Sequence, residues 1–227
     1  MATNYNYFGG IVTNGLVLDL DAAKLASYPG TGTAWYDISG NNNNGTLTNG
    51  PTFSGIGKQA AIVFDGVDDY SVTNNRVYSL TGGTLNVWVK KLSGVGSAVV
   101  LGSYGGSGEQ RSPTLFNNGL NNITWEFSNL TNRDTAVPFV NNTWYNLSMT
   151  YDSNYLTRVY INGSLSQSES ASNPGGFFNQ FNIGSYYNGG YTYYINAQIP
   201  VVQVYNRALS AAEVSQNFNA LRGRYGI

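Results

Sequence analysis

Short segments in which apolar and polar residues alternate recur along the chain, separated by clusters of Gly and Asn. Such alternation is typical of antiparallel strands with one buried face. In TLNVWVKK (84–91), Leu85, Val87 and Val89 share one face and Trp88 lies on the other, so both faces of this strand are predicted to be at least partly covered. The other predicted strands are GLVLDL (15–20), QAAIVFDG (59–66), WYNLSMTYD (144–152) and AQIPVVQVY (197–205).

Turn-forming residues separate these strands. Asn162 and Gly163 stand between two strand-like runs and predict a β-hairpin, because both residues tolerate positive φ. Residues 28–51 contain so many turn formers that we predict a long surface loop, held to the core by Trp35 and Leu47.

One amphipathic helix is predicted at about residues 210–222. Ser210 and Glu213 form a capping box, and Leu209 with Val214 fits a hydrophobic staple. The apolar face of this helix consists of Val214, Phe218 and Leu221. Because strands predominate elsewhere and no repeat has a fixed period, the pattern predicts a two-sheet sandwich or jelly roll.

Composition narrows the classes of function. Charged residues make up 10% of the 227 residues and the net charge is −1, so the chain lacks the basic field that nucleic-acid binding needs. The absence of Cys and His excludes disulfides, zinc sites built on these residues and a Ser/His/Asp triad. No apolar run has the length of a membrane helix, and MATNYNYFGG lacks the features of a signal peptide. We therefore expect a protein made in the cytoplasm that does not insert into membranes.

Seven blocks of sequence, in order, resemble the laminin-G-like, concanavalin A-like jelly-roll domains. The resemblance implies an all-β, two-sheet antiparallel jelly-roll sandwich with one short C-terminal helix. Residues 15–227 would form this single domain, after an N-terminal arm or first strand at residues 1–14. The blocks are WYDISGNNNNGTL (35–47), IVFDGVDDY (62–70), LNVWVK (85–90), NTWYNLSMTYD (142–152), VYINGSLS (159–166), FNIGS (181–185) and VYNRALSAAEV (204–214).

The long loop and the ending NFNALRGRYGI also resemble stand-alone domains of this kind among the virion proteins of tailed bacteriophages. The chain departs from the family in one place. Relatives commonly carry an acidic residue just before the strand that leads into YNRAL, whereas this chain has Pro200 and Val201. Because Pro200 cannot donate to a sheet ladder, it predicts a strand start, an edge or a bulge.

The carboxylates do not predict an active site. Glycoside hydrolysis needs two carboxylates about 5–10 Å apart across a sugar. The jelly-roll glucanases that share this fold carry a Glu-x-Asp-x-x-Glu strand, which this chain lacks. The four glutamates, which are far apart in sequence, are Glu109, Glu126, Glu169 and Glu213. We expect no catalytic residue and no enzymatic activity.

FDGVDDY (64–70) places Asp65, Asp68 and Asp69 within five positions. These carboxylates suit a calcium site, since calcium collects oxygen ligands and some laminin-G-like domains bind it. They also suit a tight corner between two strands, with Gly66 supplying unusual dihedrals. The run lacks the alternating spacing of a calcium loop, so the corner is favoured and no other cofactor is expected. Additional calcium ligands would come from Asp19, Asp21 and Asp37.

SYYNGGYTYY (185–194) concentrates five tyrosines around two glycines. Tyrosine rings stack on sugars and their hydroxyls form hydrogen bonds, so this cluster suits a glycan site or a protein interface. A hairpin whose tyrosines pack across the strands is the alternative. The five candidates are Tyr186, Tyr187, Tyr191, Tyr193 and Tyr194.

The leading hypothesis is a non-enzymatic virion structural protein, either a capsid decoration or a fibre-associated protein at the virion surface. It would act through contacts with capsid or fibre subunits, as a homo-oligomer or bound to another structural protein, with weak adhesion to host-surface glycans as an additional activity. The alternative is a lectin-like carbohydrate-binding module. A glycoside hydrolase is the third candidate.

Overall fold

The computed structural model of this chain shows two antiparallel β-sheets and one C-terminal helix within its described residues. It describes residues 10–55, 57–75, 77, 81–94, 96–102, 111–173, 180–187 and 190–227. Most of the predicted N-terminal arm, residues 1–9, lies outside this part of the chain. The predicted all-β jelly-roll sandwich is confirmed.

The elements follow one another with short connections. The 3₁₀-helix spans Gly57–Gln59 and the α-helix, α1, spans Ala211–Tyr225. The strands are β1 (Leu16–Asp21), β2 (Ala34–Trp35), β3 (Gly45–Thr48), β4 (Thr52–Ser54), β5 (Ala61–Asp65), β6 (Tyr70–Thr73), β7 (Gly83–Lys91), β8 (Ala98–Gly102), β9 (Arg111–Asn117), β10 (Asn122–Ser128), β11 (Leu130–Pro138), β12 (Trp144–Tyr151), β13 (Leu156–Ile161), β14 (Ser164–Ser170), β15 (Asn182–Ile183), β16 (Tyr186–Tyr187), β17 (Tyr191–Thr192) and β18 (Asn196–Tyr205).

Within the described residues, each of the two sheets has eight strands. The first sheet has the order β14, β13, β12, β7, β18, β5, β4, with β1 also paired to β18. The second sheet has the order β11, β10, β9, β8, β15, β6, β3, β2, and β16 with β17 forms a separate ribbon. Pro200 lies where β18 changes partner from β5 to β1, at an irregularity in its pairing with β7. Pro200 has no backbone N–H to donate, and it lies at a bulge, one of the three positions predicted for it.

The inner faces of the sheets enclose one apolar core. Alternate residues of β7, from Leu85 to Val89, point into this core, whereas Trp88 belongs to a cluster on the outer face, as the alternation predicts. Trp35 and Leu47 are both buried in the core. The predicted long surface loop is wrong in part, because Trp35 and Leu47 lie on β2 and β3, which are strands of the second sheet.

The predicted hairpin joins β13 to β14. Asn162 and Gly163 both have positive φ, 51° and 74°, which is the conformation that a two-residue hairpin turn requires. A Cβ on Gly163 would lie 2.9 Å from the ring of Phe218. The turn therefore also needs glycine because helix α1 packs directly against it.

Helix α1 begins with the predicted capping box, in which Ser210 and Glu213 satisfy each other's backbone N–H groups. Hydrogen bonds from Arg207 hold the pKa of Glu213 at about 2. The helix continues to Tyr225, three residues beyond the predicted end, and closes on Gly226 at φ 75°. No helix in the described part of the chain is long and apolar enough to cross a membrane.

A row of buried polar side chains crosses the outer face of the first sheet beside the helix. Gln203 donates to Asp19 Oδ1 at 3.1 Å, and Asn86 donates to Gln203 Oε1 at 2.8 Å. Asn146 and Ser148 then donate to Asn86 Oδ1 at 2.8 and 2.7 Å. Burial raises the pKa of Asp19. Mutual hydrogen bonds allow this row to stay buried.

Candidate functional site

Several strands end or begin together at one end of the sandwich. Asn196, the first residue of β18, pairs with Asp65 at the end of β5, and the next residue of β18 pairs with Lys91 at the end of β7. In the second sheet, Ala98 at the start of β8 pairs with Asn117 at the end of β9. We call this end of the sandwich, with the loops that connect these strands, the loop end.

The loop end contains a pocket of about 270 Å³. Its polar lining includes Asp65, Lys91, Ser93, Asn117, Tyr194 and Asn196. The volume is near the lower limit for small-molecule sites. The pocket thus brings one residue of FDGVDDY and one of the tyrosine cluster to the same cavity.

The three aspartates of FDGVDDY lie within 4.8 Å of one another, measured between one oxygen of each carboxylate. Asp65 Oδ1 accepts from the backbone N–H of Val67 at 2.8 Å and from those of Asp68 and Asp69 at 3.3 and 3.4 Å. These N–H groups lower the pKa of Asp65, that of Val67 having the largest effect, whereas burial raises the pKa of Asp69.

Gly66 completes this corner. Its φ is 79°, and a Cβ would lie 2.9 Å from Asn196 Cβ and 3.0 Å from Asn196 N. Glycine is therefore needed both for the backbone conformation and for the close approach of β18. These contacts favour the corner over the calcium site, which stays a hypothesis.

The other aspartates suggested as calcium ligands lie elsewhere. Asp19 pairs with Gln203, seven positions along β18 from the partner of Asp65, a separation of roughly 23 Å along a strand. Asp21 binds Arg224 and Asp37 accepts from the Asp19 backbone N–H. The suggestion that these three join the FDGVDDY carboxylates is wrong, because the strand register holds them apart.

Lys91 is buried against the pocket, with 1% of its surface exposed. Its Nζ donates to Asn121 Oδ1 and to Gly94 O, and it lies 5.3 Å from the centre of the Phe139 ring. Burial lowers the pKa of Lys91. Lys91 thereby ties together the loops after β7, β9 and β11.

Asn117 is equally buried, at 1% exposure. Its Nδ2 donates to Gly96 O at 2.6 Å, whereas its Oδ1 has no hydrogen-bond partner among the described residues. A buried acceptor without a partner is costly. A ligand hydroxyl or amine that reached Oδ1 would remove that cost.

The described tyrosines of the cluster make different contacts. Tyr194 lines the pocket, and its ring centre lies 6.5 Å from that of Tyr70. Tyr186 and Tyr193 pack edge to face at 6.0 Å, as in the hairpin alternative. Tyr187 is half-buried in β16, and the side chain of Tyr191 lies outside the described residues.

Exposed apolar side chains also lie in the loops of the loop end. They are Val67, Leu120, Val140 and Tyr193, with exposed fractions of 71%, 77%, 49% and 54%. Each follows or precedes a strand that ends beside the pocket. These side chains place apolar surface at the same end of the sandwich as the pocket.

The glutamates do not form a pair within the described residues. Glu126 is buried in β10, Glu169 pairs with Arg133 at 3.1 Å, and Glu213 caps helix α1. Glu109 lies outside the described residues.

The two antiparallel sheets define a jelly-roll sandwich domain. The family model of the Concanavalin A-like lectin/glucanases superfamily, Laminin_G_3, matches residues 65–215. This match covers more than half of the chain, and the chain therefore belongs to that superfamily. The laminin-G-like resemblance is thus confirmed, and the bacteriophage resemblance stays a prediction. No curated protein matches the chain.

Solved structures share the fold at low sequence identity. A Trypanosoma rangeli sialidase is 17% identical, with a TM-score of 0.73, over 92% of this chain and 33% of the sialidase. The binding domain of Paraclostridial Mosquitocidal Protein 1 is 16% identical, with a TM-score of 0.68, over 92% and 52% of the two chains. The receptor-binding domain of botulinum neurotoxin C/D mosaic serotype is also 16% identical, with a TM-score of 0.68, over 91% and 51%. The chain spans between a third and about half of these proteins.

The prediction that the chain is not an enzyme is wrong as stated, because structures of similar fold include sialidases. That prediction was drawn from the lack of a Glu-x-Asp-x-x-Glu strand. The lack of that motif excludes one arrangement of carboxylates and does not exclude catalysis. At 17% identity the likeness shows the fold alone and transfers no active site.

Proposed function

We propose that this chain is a carbohydrate-binding domain that holds a sugar residue in the loop-end pocket. The observation that carries this proposal is the buried Asn117, whose Oδ1 lacks a partner in the described structure, in a pocket also lined by Asp65 and Tyr194. These groups can accept hydrogen bonds from several hydroxyls at once.

The chemistry of the pocket suits a sugar ring better than an apolar ligand. Sugars carry hydroxyls on the ring edge and C–H groups on the ring faces, so they need polar partners together with an aromatic or aliphatic surface. Tyr194 supplies such a surface within the pocket, and Val67 and Tyr193 supply exposed apolar surface beside it. The superfamily description also includes lectins.

Tyr194→Ala is expected to weaken binding to a selected glycan by about tenfold, since stacking and a hydroxyl contact are both lost. A glycan array would identify the ligand, and calorimetric titration would compare the variants. Tyr36→Ala is the matched control, because Tyr36 is 46% exposed and does not line the pocket. Absence of any selective glycan, or equal affinity of Tyr194→Ala and the unchanged protein, would contradict the proposal.

We further propose that this domain is displayed on a virion surface, as a capsid decoration or a fibre-associated protein in contact with other virion subunits. The resemblance of the long loop and of the C-terminal ending to phage virion proteins favours this location.

The virion location predicts that the protein copurifies with particles through a density gradient. Mass spectrometry of gradient fractions should find its peptides in the particle peak at a ratio to the major capsid protein that stays constant across the peak. Recovery only in the soluble fraction would contradict this location and leave the glycan proposal standing.

A further inference from the structure

The charges around the loop-end pocket point to one class of sugar. This inference rests on the proposed carbohydrate binding and adds to it the chemical class of the ligand. Asp65 lines the pocket, and an oxygen of each of the Asp68 and Asp69 carboxylates lies within 4.8 Å of an oxygen of the Asp65 carboxylate. The pKa of Tyr194, on the pocket wall, is raised chiefly by burial and then by Tyr70 and the exposed Asp68. The charge of Asp68 therefore acts on the pocket wall.

The ammonium group of Lys91, beside the pocket, already has partners within the protein. Among the described residues that line the pocket, Lys91 is the only Lys or Arg. Its Nζ donates to Gly94 O and Asn121 Oδ1 and faces the Phe139 ring, with 1% of the residue exposed. A ligand carboxylate would need to displace these partners to reach it. Strong recognition of carboxylates usually relies on an accessible guanidinium fork.

The lining includes the hydroxyls of Ser93, Ser97 and Tyr194, which donate and accept, and the acceptor oxygens of Asn117 and Asp65. Asn117 Oδ1 has no partner within the described structure, and the Asp65 carboxylate is exposed at the mouth. The donor Asn196 Nδ2 is already bound to Ser93 Oγ at 2.9 Å. Acceptors of this kind match the hydroxyl hydrogens of a neutral sugar. The same acceptor oxygens repel an anionic group that approaches to hydrogen-bond distance.

We propose that the loop-end pocket selects uncharged sugar residues and rejects sugars that carry a carboxylate. The acidic corner supplies the repulsion, and the unpaired Asn117 acceptor and Asp65 supply the hydrogen bonds. The repulsion is electrostatic and the corner is exposed, so it weakens as salt increases.

Calorimetric titration with a matched pair of oligosaccharides tests this selectivity. One member ends in galactose, and the other carries an additional terminal sialic acid on the same core. The neutral member is expected to bind at least about tenfold more tightly at low salt, and the difference should narrow at 0.5 M NaCl, about three times physiological ionic strength. Asp68→Asn should reduce the difference by about threefold.

Glu169→Gln is the control for net charge, because Glu169 lies on β14 and pairs with Arg133, away from the pocket. Equal or tighter binding of the sialylated member would overturn the selectivity and leave carbohydrate binding intact. If Glu169→Gln reduces the difference in affinity between the two oligosaccharides as much as Asp68→Asn does, the selectivity proposal is also overturned, because net charge would then explain the difference. If a broad glycan array shows no binding of either neutral or charged glycans, both proposals fail.

Discussion

Trp88→Ala is expected to lower the free energy of unfolding by about 3–5 kcal/mol, the usual cost of removing a large buried aromatic side chain. Trp88 is fully buried on the outer face of the first sheet. Its ring stacks on Phe218 and Tyr225 of helix α1, with ring centres 5.7 and 4.3 Å apart. The substitution therefore removes a large apolar contact between the helix and the sheet. Urea unfolding followed by tryptophan fluorescence and by far-UV circular dichroism measures the loss.

Trp144→Ala is the matched control. Trp144 is half-buried and contacts the same Tyr225 at 4.6 Å, with Lys90 Nζ over its ring at 4.9 Å. Because less of its surface is buried, its removal should cost clearly less than removal of Trp88. Equal losses for the two variants, or a loss below about 1 kcal/mol for Trp88→Ala, would show that the helix is held mainly by other contacts.

The burial of Trp88 on the outer face of the sheet could be predicted from the sequence around it, and so could much of the fold. Alternation in TLNVWVKK places Trp88 opposite the core residues, and a fully exposed tryptophan there would be unusual. The capping box at Ser210 and the turn at Asn162 are local signals, and both occur in the structure. The end of the helix was missed by three residues because Gly223 and Arg224 do not distinguish a final turn from a loop. The left-handed Gly226 sets the actual end.

The candidate site was much less predictable. FDGVDDY and the tyrosine cluster were each noticed, but only the pairing of Asn196 with Asp65 brings them together. Asn117 carries no local signal in a chain rich in asparagine, and Lys91 looks like a solvated strand end. Their burial depends on loops from three parts of the chain that meet at one end of the sandwich. Contacts of this kind are non-local, and residue spacing does not encode them.

The helix also decides which surface can bind a ligand. Asp19, Gln203 and Asn86 form part of the polar row on the outer face of the first sheet, and each is at most 4% exposed. Their side chains bind one another, beside a helix whose Phe218 and Tyr225 cover Trp88. The outer face of the first sheet is thus structural at this position. The proposed sugar site therefore lies at the loop end and not on this buried row.

Asp21→Asn is expected to cost about 3–5 kcal/mol in the free energy of unfolding, because it leaves a buried guanidinium without its carboxylate. Arg224 donates from Nη1 and Nη2 to the two carboxylate oxygens of Asp21, both at 2.8 Å. The two side chains are only 13% and 3% exposed. An asparagine offers one acceptor where the guanidinium fork needs two. The last turn of helix α1 should therefore detach from β1 more readily.

Two further variants separate the ion pair from general effects. Lys24 lies 3.6 Å from Asp21, but its side chain is 53% exposed, so Lys24→Met should cost less than about 1 kcal/mol. Adding Arg224→Met to Asp21→Asn should recover part of the loss, since the uncompensated buried charge is then gone. If Asp21→Asn is no more harmful than Lys24→Met, the pair does not hold the helix. If the double variant recovers nothing, the loss does not arise from the uncompensated guanidinium of Arg224.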